Sequence, residues 1–152
     1  MSIEKLPAGS RGAKTPPRLV VKLLMPIMEK IHRRSGDRFG GFDVLYLHTV
    51  GAKSGQARTS PVARMDDGTG GVLVVASYGG AQQHPAWYHN IVAHPDQVSM
   101  EYGGRVQRVT VRQLEGDERA HAWTHITEQV PRFKGYETKT DRELPVLRLT
   151  AV

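Results

Sequence analysis

Between Val44 and Leu149 short apolar runs alternate with turns built on glycine or proline, and the spacing of the runs predicts strands. Val44 to Val50 carries branched and aromatic residues on both faces, as a strand buried on both sides does. Thr59 to Met65 predicts a second strand, with Pro61 near its start. Asp66 to Gly71 holds the residues that tolerate turns, and Val72 to Ser77 follows as a third strand, apolar until Ser77 and therefore central. These three read as an antiparallel meander. Gln97 to Tyr102 and Arg105 to Leu114 flank Gly103-Gly104, the signal of a tight hairpin. In the second of them Val106, Val109 and Val111 are broken up by Arg105, Arg108 and Arg112, so one face is wet. Leu144 to Leu149 predicts a last strand with Pro145 at its edge.

Elsewhere the apolar period is that of a helix. Leu19, Val20, Leu23, Leu24, Ile27, Met28 and Ile31 repeat at three and four across Arg18–Arg34, with Pro26 kinking or dividing the helix. A short helix begins at Pro85, with Trp87, Tyr88, Ile91 and Val92 at helical spacing, and ends near His94-Pro95. Gly116-Asp117-Glu118 opens another that runs to about Gln129, with Ala120, Trp123, Ile126 and Thr127 on its inner face. Pro131 to Thr140 reads as irregular or as a short helical piece. The sum is a mainly β (α+β) fold: six strands in an antiparallel barrel or strongly curved sheet, with helices plugging its openings. Residues 1–17, rich in proline and glycine, read as a mobile or surface-running arm. Together with the first helix they form a basic segment, 1–39, ahead of a barrel domain, 40–152.

The 152 residues suffice for one domain with a real core. No cysteine is present, which excludes disulfides, thiolate nucleophiles and zinc–thiolate sites. The longest apolar stretch near the N-terminus is interrupted by Lys22 and Pro26 and is too short to cross a bilayer. The net charge of +6 is uneven: residues 1–58 hold 11 Lys and Arg against 4 Asp and Glu, and the remainder 10 against 11. The basic half points to an anionic partner, whether nucleic acid, acidic lipid or a phosphorylated cofactor.

Two loops carry candidate chemistry. Gly51-Ala52-Lys53-Ser54-Gly55-Gln56-Ala57-Arg58 joins the first two strands. Its glycines let successive N–H groups point at one ligand, Lys53 adds a point charge and Arg58 a planar fork. It is not a nucleotide P-loop, since Lys53-Ser54 precedes Gly55 and no helix follows. The second loop, Ala76-Ser77-Tyr78-Gly79-Gly80, ends the central strand, where exposed backbone groups can meet the edge of a flat polar ring, and Trp87 and Tyr88 follow within the next helix. His121 and His125 are four apart, but Ala122 stands where a zinc protease has its glutamate, and His84, His89 and His94 are spaced at five; no metal site is read from them. No Gly-x-Ser-x-Gly elbow exists. An anion loop beside a ring loop, without an acid–base pair, indicates chemistry borrowed from an anionic cofactor.

The runs GAKSGQARTSP, VVASYGGAQQHPAWYHNIVAHP and KTDRELPVLRLT together resemble the deazaflavin-dependent nitroreductase family of actinobacteria, over roughly residues 40–150. The resemblance implies a split β-barrel of the FMN-binding type, reduced coenzyme F420 as hydride donor, and a quinone or nitroaromatic acceptor. Matched position by position, it implies that Lys53, Ser54 and Arg58, with Gly55, Ser60 and Pro61, contact the coenzyme's phosphate and acidic tail. Ala76, Ser77, Tyr78, Gly79 and Gly80 would flank its ring, with Trp87, Tyr88 and Asn90 on the helix that follows. Three tyrosines of the nitroreductase's substrate pocket correspond here to Val130, Phe133 and Tyr136, which leaves Tyr136, with Ser77, as candidate catalytic hydroxyls. The alternative in the same fold is FMN, and in another class a binder of anionic lipid or nucleic acid. The N-terminal tail lacks the interleaved aromatics of single-strand binders, so nucleic acid is not expected. A cytoplasmic location is expected, with Arg18–Arg34 either packed on the barrel or, as the alternative, lying on the inner face of an acidic membrane.

Overall fold

The computed structural model describes residues 2–15, 17 and 42–152, and between them positions 19, 20, 23, 24, 26, 27, 30, 38 and 39. The strands are β1 (Arg38–Phe39), β2 (Phe42–Val50), β3 (Ala57–Ala63), β4 (Met65–Asp66), β5 (Val72–Val75), β6 (Ser99–Tyr102), β7 (Arg105–Gln113) and β8 (Val146–Ala151). The helices α1 (Ala86–Ala93), α2 (Gly116–Gln129) and α3 (Arg132–Lys139) lie among them. All pairings between these strands are antiparallel, in the order β1-β2-β6-β7-β8-β5-β4, with β3 paired to β2 off this path. β3 and β4 are one path bent at Arg64, whose N–H reaches the carbonyl of Asp43 at 2.9 Å. That path pairs with β2 at one end and β5 at the other, so the sheet curls into a half-barrel of seven strand paths, one more than the six expected.

Alternation explains the burial. Leu45 and Leu47 of β2, Val72 and Val74 of β5, Val109 and Val111 of β7, and Leu147 and Leu149 of β8 face one core, which α1 plugs with Tyr88 and Ile91. Leu73, Val75 and Val146 face the other way and meet Leu114, Ile126 and Phe133 beneath α2 and α3. β5 is thus covered on both faces, as its unbroken apolar run requires. β7 has the expected wet face, but Val106 is 58% exposed. It has the opposite parity to Val109 and Val111, and so points outward with Arg108 and Arg112. The Tyr102–Arg105 pair closes on Gly103 and Gly104, with φ of +60° and +79°.

Four expectations shift. Arg64 breaks the second strand, and the last strand starts after Pro145, whose carbonyl accepts the N–H of Ala76. Residues 132–139 form a full helix. The inner face of α2 keeps Ile126, Thr127 and the half-buried Trp123, but Ala122 takes the place of Ala120, which is exposed.

The N-terminal arm runs over the surface and is firmly placed. Ile3 joins the barrel core. The carbonyl of Glu4 accepts from Gln113, the N–H of Leu6 donates to the Tyr88 hydroxyl, and the carbonyl of Leu6 meets His84 Nε2 at 2.8 Å. Farther along, Gly9 and Ala13 donate to the carbonyls of Gln82 and Gly80, and Ser10 binds Asp141 through its N–H and its hydroxyl. A Cβ on Gly12 would lie 2.1 Å from the nitrogen of Gln82, so this approach admits only glycine. The segment assigned to 1–39 therefore packs as part of the barrel at its N-terminal end. The amphipathic helix of Arg18–Arg34 lies partly outside the described residues; those described between 19 and 30 have helical backbone.

Candidate cofactor-binding site

Gly51 to Gln56 forms a compact turn, closed by Gly51 N–H to Gln56 O at 2.8 Å and Gly55 N–H to Gly51 O at 3.0 Å. Gly55 has φ of +69°, which its lack of a Cβ allows. The Ser54 hydroxyl accepts the N–H of Gln56 at 3.2 Å, so it is partly spent on the turn itself. The loop is fixed to α1 by Asn90. Its side-chain carbonyl accepts the N–H of Ala52 at 2.9 Å, and its amide donates to the Thr49 hydroxyl at 3.2 Å. Arg58 opposes Thr49, and Ser60 opposes Leu47, so both continue the inner face of the barrel at its mouth. Pro61 opposes Tyr46 on the other face. Among the described residues neither Lys53 nor Arg58 has an acidic partner.

The ring loop leads directly into the first turn of the same helix. Ser77 has right-handed backbone angles (φ −79°, ψ −39°), and Tyr78, Gly79 and Gly80 follow at φ of +46°, +64° and +81°. Three successive left-handed residues, one of them tyrosine, are unusual, and such conformations gather at functional sites. Gly80 is locked from one side by α3: a Cβ there would stand 2.7 Å from the carbonyl oxygen of Tyr136. From beneath, the buried guanidinium of Arg142 donates to the carbonyls of Ala76, Ser77 and Ala81 and to His84 Nδ1. Since His84 Nε2 gives its proton to Leu6, Nδ1 is the acceptor for Arg142, and the ring is neutral. Burial holds the His84 pKa below its ordinary 6.5, and the Arg142 charge adds to that.

The anion loop is thus tied to α1 at Asn90, and the ring loop reaches the start of the same helix through residues 81–85. The expected side-chain roles on it change. Tyr88 is fully buried, its hydroxyl bridging Leu6 and Gln113, and Trp87 is 8% exposed within the core. Neither side chain is free for a ligand. Asn90 spends both ends of its amide on the anion loop and acts by placing it. Val130 and Phe133 belong to the second core, Phe133 stacked edge-on between Trp123 and Tyr136, so they support the pocket and do not line it. Tyr136 is half-buried, and its hydroxyl has no partner among the described residues. Tyr78 is 40% exposed, and Ala76 is buried.

Two contributors escape a reading of the sequence. Arg142 lies in a charged run that looks like a solvated turn. His89 stands close enough to Lys5 of the arm and Lys53 of the loop for both to lower its pKa, after burial, which is the main cause. Lys5 and Lys53 so bring positive charge from two segments to the side of His89. Of the other histidines, His125 binds the carbonyl of Asp66 at 2.9 Å. With His121 it lines a separate cavity of about 580 Å³, which also has Asp67, Glu118 and Arg148 in its wall.

Comparison with known proteins places the chain in a family. The family profile described as F420H(2)-dependent quinone reductase matches residues 21–151. An F420H(2)-dependent quinone reductase of Mycobacterium tuberculosis is 34% identical over 135 residues, covering 84% of this chain and 89% of the relative. A solved F420-H2 dependent reductase (FDR-A) is 42% identical, covers 70% of this chain and 93% of its own, and superposes with a TM-score of 0.63. A heme binding protein from Mycobacterium smegmatis, 20% identical with a TM-score of 0.55, covers 73% of this chain and 47% of its own and shares the fold alone.

Proposed function

This chain belongs to the F420H(2)-dependent quinone reductase family, and from that premise we propose that it seats the coenzyme across the mouth of the barrel, tail on Gly51–Pro61 and ring on Ser77–Gly80, and reduces a quinone there. The observation that carries this placement is the pair of exposed cations, Lys53 on the loop that Asn90 fixes to α1 and Arg58 at the start of β3, which have no acidic partner among the described residues. Such a loop fits a phosphodiester and carboxylates, and each charge-assisted hydrogen bond to them is worth roughly 1.5–3 kcal/mol. Reduced F420, when bound, supplies a hydride.

The protein's own part is placement and proton supply. Lys53 and Arg58 hold the acidic tail, and the left-handed turn at Tyr78–Gly80 presents backbone to the ring. Reduction of a quinone to a hydroquinone takes a hydride and one proton. The Tyr136 hydroxyl, on the helix that leans on Gly80, is the donor of that proton and recovers it from solvent. With Tyr136 as the one tyrosine hydroxyl at this pocket among the described residues 130–140, an apolar quinone suits it better than a bulky nitroaromatic compound.

Titration with F420 tests the placement. Lys53→Ala with Arg58→Ala weakens binding, most strongly at low salt; unchanged affinity would remove the anion loop from the site. Oxidation of F420H2 against a panel of quinones and nitroaromatics identifies the acceptor class.

The location proposed is the cytoplasmic face of the membrane. Leu19, Val20, Leu23, Leu24 and Ile27 are each at least 41% exposed at positions of helical backbone, a surface suited to lipid in which quinones dissolve. Sedimentation with anionic vesicles, lost on Leu23→Ser with Leu24→Ser, tests it. No helix among the described residues is long and apolar enough to cross a membrane.

A further inference from the structure

Beneath the ring loop lies a cation that no carboxylate among the described residues answers. The Arg142 guanidinium is 6% exposed and gives its N–H groups to the carbonyls of Ala81 (2.7 Å), Ala76 (3.1 Å) and Ser77 (2.7 Å) and to His84 Nδ1 (3.1 Å). Among the described residues no acidic side chain contacts it. A buried charge is costly to hold, and hydrogen bonds to neutral dipoles are the compensation here.

Two of those acceptors have a consequence on the far side of the backbone. The carbonyls of Ala76 and Ser77 belong to the peptide units whose N–H groups are those of Ser77 and Tyr78. In a trans peptide the N–H points away from the carbonyl, and none of these bonds is cis. A cation on the oxygen polarises the unit and strengthens the donor opposite. A right-handed residue followed by a left-handed one, as Ser77 and Tyr78 are, turns successive N–H groups toward one point and makes an anion-binding hollow. Among the described residues the N–H groups of Ser77, Tyr78 and Gly79 have no partner. Most of the loop's carbonyls, by contrast, are occupied: Tyr78 by Ala81 N–H, Gly80 by Ala13 N–H, Gln82 by Gly9 N–H, and Ala76, Ser77 and Ala81 by Arg142.

We propose that Arg142 is a positioning residue that charges this turn from behind, making the N–H groups of Ser77, Tyr78 and Gly79 an anion hole for the ionised edge of the bound ring. The proposal rests on the coenzyme reading above. Its consequence is that the site favours the negatively charged form of the ring over the neutral one. The other charged or titratable groups packed around Arg142 and the loop are His84 and Tyr88 from the barrel mouth, Lys139 and Tyr136 on α3, and Asp141, which the arm's Ser10 and Arg11 engage.

The experiment follows the visible absorbance of oxidised F420, free and bound, across pH, with the wild-type protein, Arg142→Met, Arg142→Lys and Lys53→Ala. Bound to the wild type, the chromophore ionises at a pH lower than free coenzyme by about one unit, the shift an opposite charge at close range produces. Arg142→Met returns the midpoint toward the free value, and Arg142→Lys keeps most of the shift. Lys53→Ala weakens binding and leaves the midpoint where it is. A wild-type midpoint no lower than that of free F420 overturns the proposal, whether or not Arg142→Met folds. An unchanged midpoint in folded Arg142→Met does the same. No binding by the wild type overturns the coenzyme reading itself.

Discussion

The side-chain carbonyl of Asn90 accepts the backbone N–H of Ala52 at 2.9 Å, and its amide reaches Thr49 on the strand before. One amide thereby ties the anion loop to the helix that begins where the ring loop ends, although 38 residues separate the partners. Asn90→Ala leaves a backbone donor and a buried hydroxyl short of partners. The expected cost is about 1–3 kcal/mol in urea unfolding, together with weaker F420 binding. Thr49→Val removes the lesser contact and costs less in both measurements. Equal affinities in wild type and Asn90→Ala would mean that the loop holds its shape unaided.

The two glycines of the ring loop differ in their surroundings and respond differently to one methyl group. Gly79 has φ of +64° and open space around its missing Cβ, so Gly79→Ala costs about 1 kcal/mol of backbone strain. Gly80 has φ of +81° and faces the carbonyl oxygen of Tyr136 at 2.7 Å, so Gly80→Ala adds the displacement of α3 to that strain. Chemical denaturation ranks the two, with Gly80→Ala clearly the less stable.

His84 makes stability depend on pH. Its folded pKa lies below 6.5, so as the pH falls the unfolded chain takes up the proton first. Stability is complete above about 6.5 and declines as the pH drops from there through the folded value. His89, whose pKa is also lowered, acts with the same sign. Melting temperatures read from pH 8 to 5 should be level and then fall. His84→Gln, which can still donate to Leu6 and accept from Arg142, should flatten part of that fall. An undiminished slope in this variant would assign the effect elsewhere.

Tyr136→Phe separates catalysis from binding. If the hydroxyl supplies the proton to the acceptor, quinone reduction slows by an order of magnitude or more, on the general scale of acid catalysis, while F420 affinity stays the same. A Tyr136→Phe variant with full turnover would make the ring a wall of the pocket and nothing else.

Much of this arrangement was legible because it depends on period and on turn chemistry. β5 declares itself by an unbroken apolar run, β7 by its alternating arginines, and the β6–β7 turn by Gly103-Gly104. What stayed hidden depends on contacts between residues far apart in the chain. Pro131 and Gly135 disguise α3, which forms because Phe133 has a core to enter. Trp87 and Tyr88, aromatics beside a glycine loop, look like a ring platform until the barrel is closed over them. The arm reads as loose because its composition is poor in apolar residues, yet Gly9 and Gly12 allow it to lie against Gln82 and Asp141. Arg142 gives no local signal at all, since nothing in Lys139-Thr140-Asp141-Arg142 distinguishes a buried guanidinium from a solvated one.

β8 lies between β5 and β7 and pairs with both, and Arg142 precedes it by only a few residues. During synthesis, therefore, the meander, α1 and the β6–β7 hairpin leave the ribosome with two unsatisfied edges and an unshaped ring loop. Neither is completed until the last strand has been threaded home, so a truncated or stalled chain exposes sheet edges for a chaperone or an aggregate to seize, and holds no coenzyme.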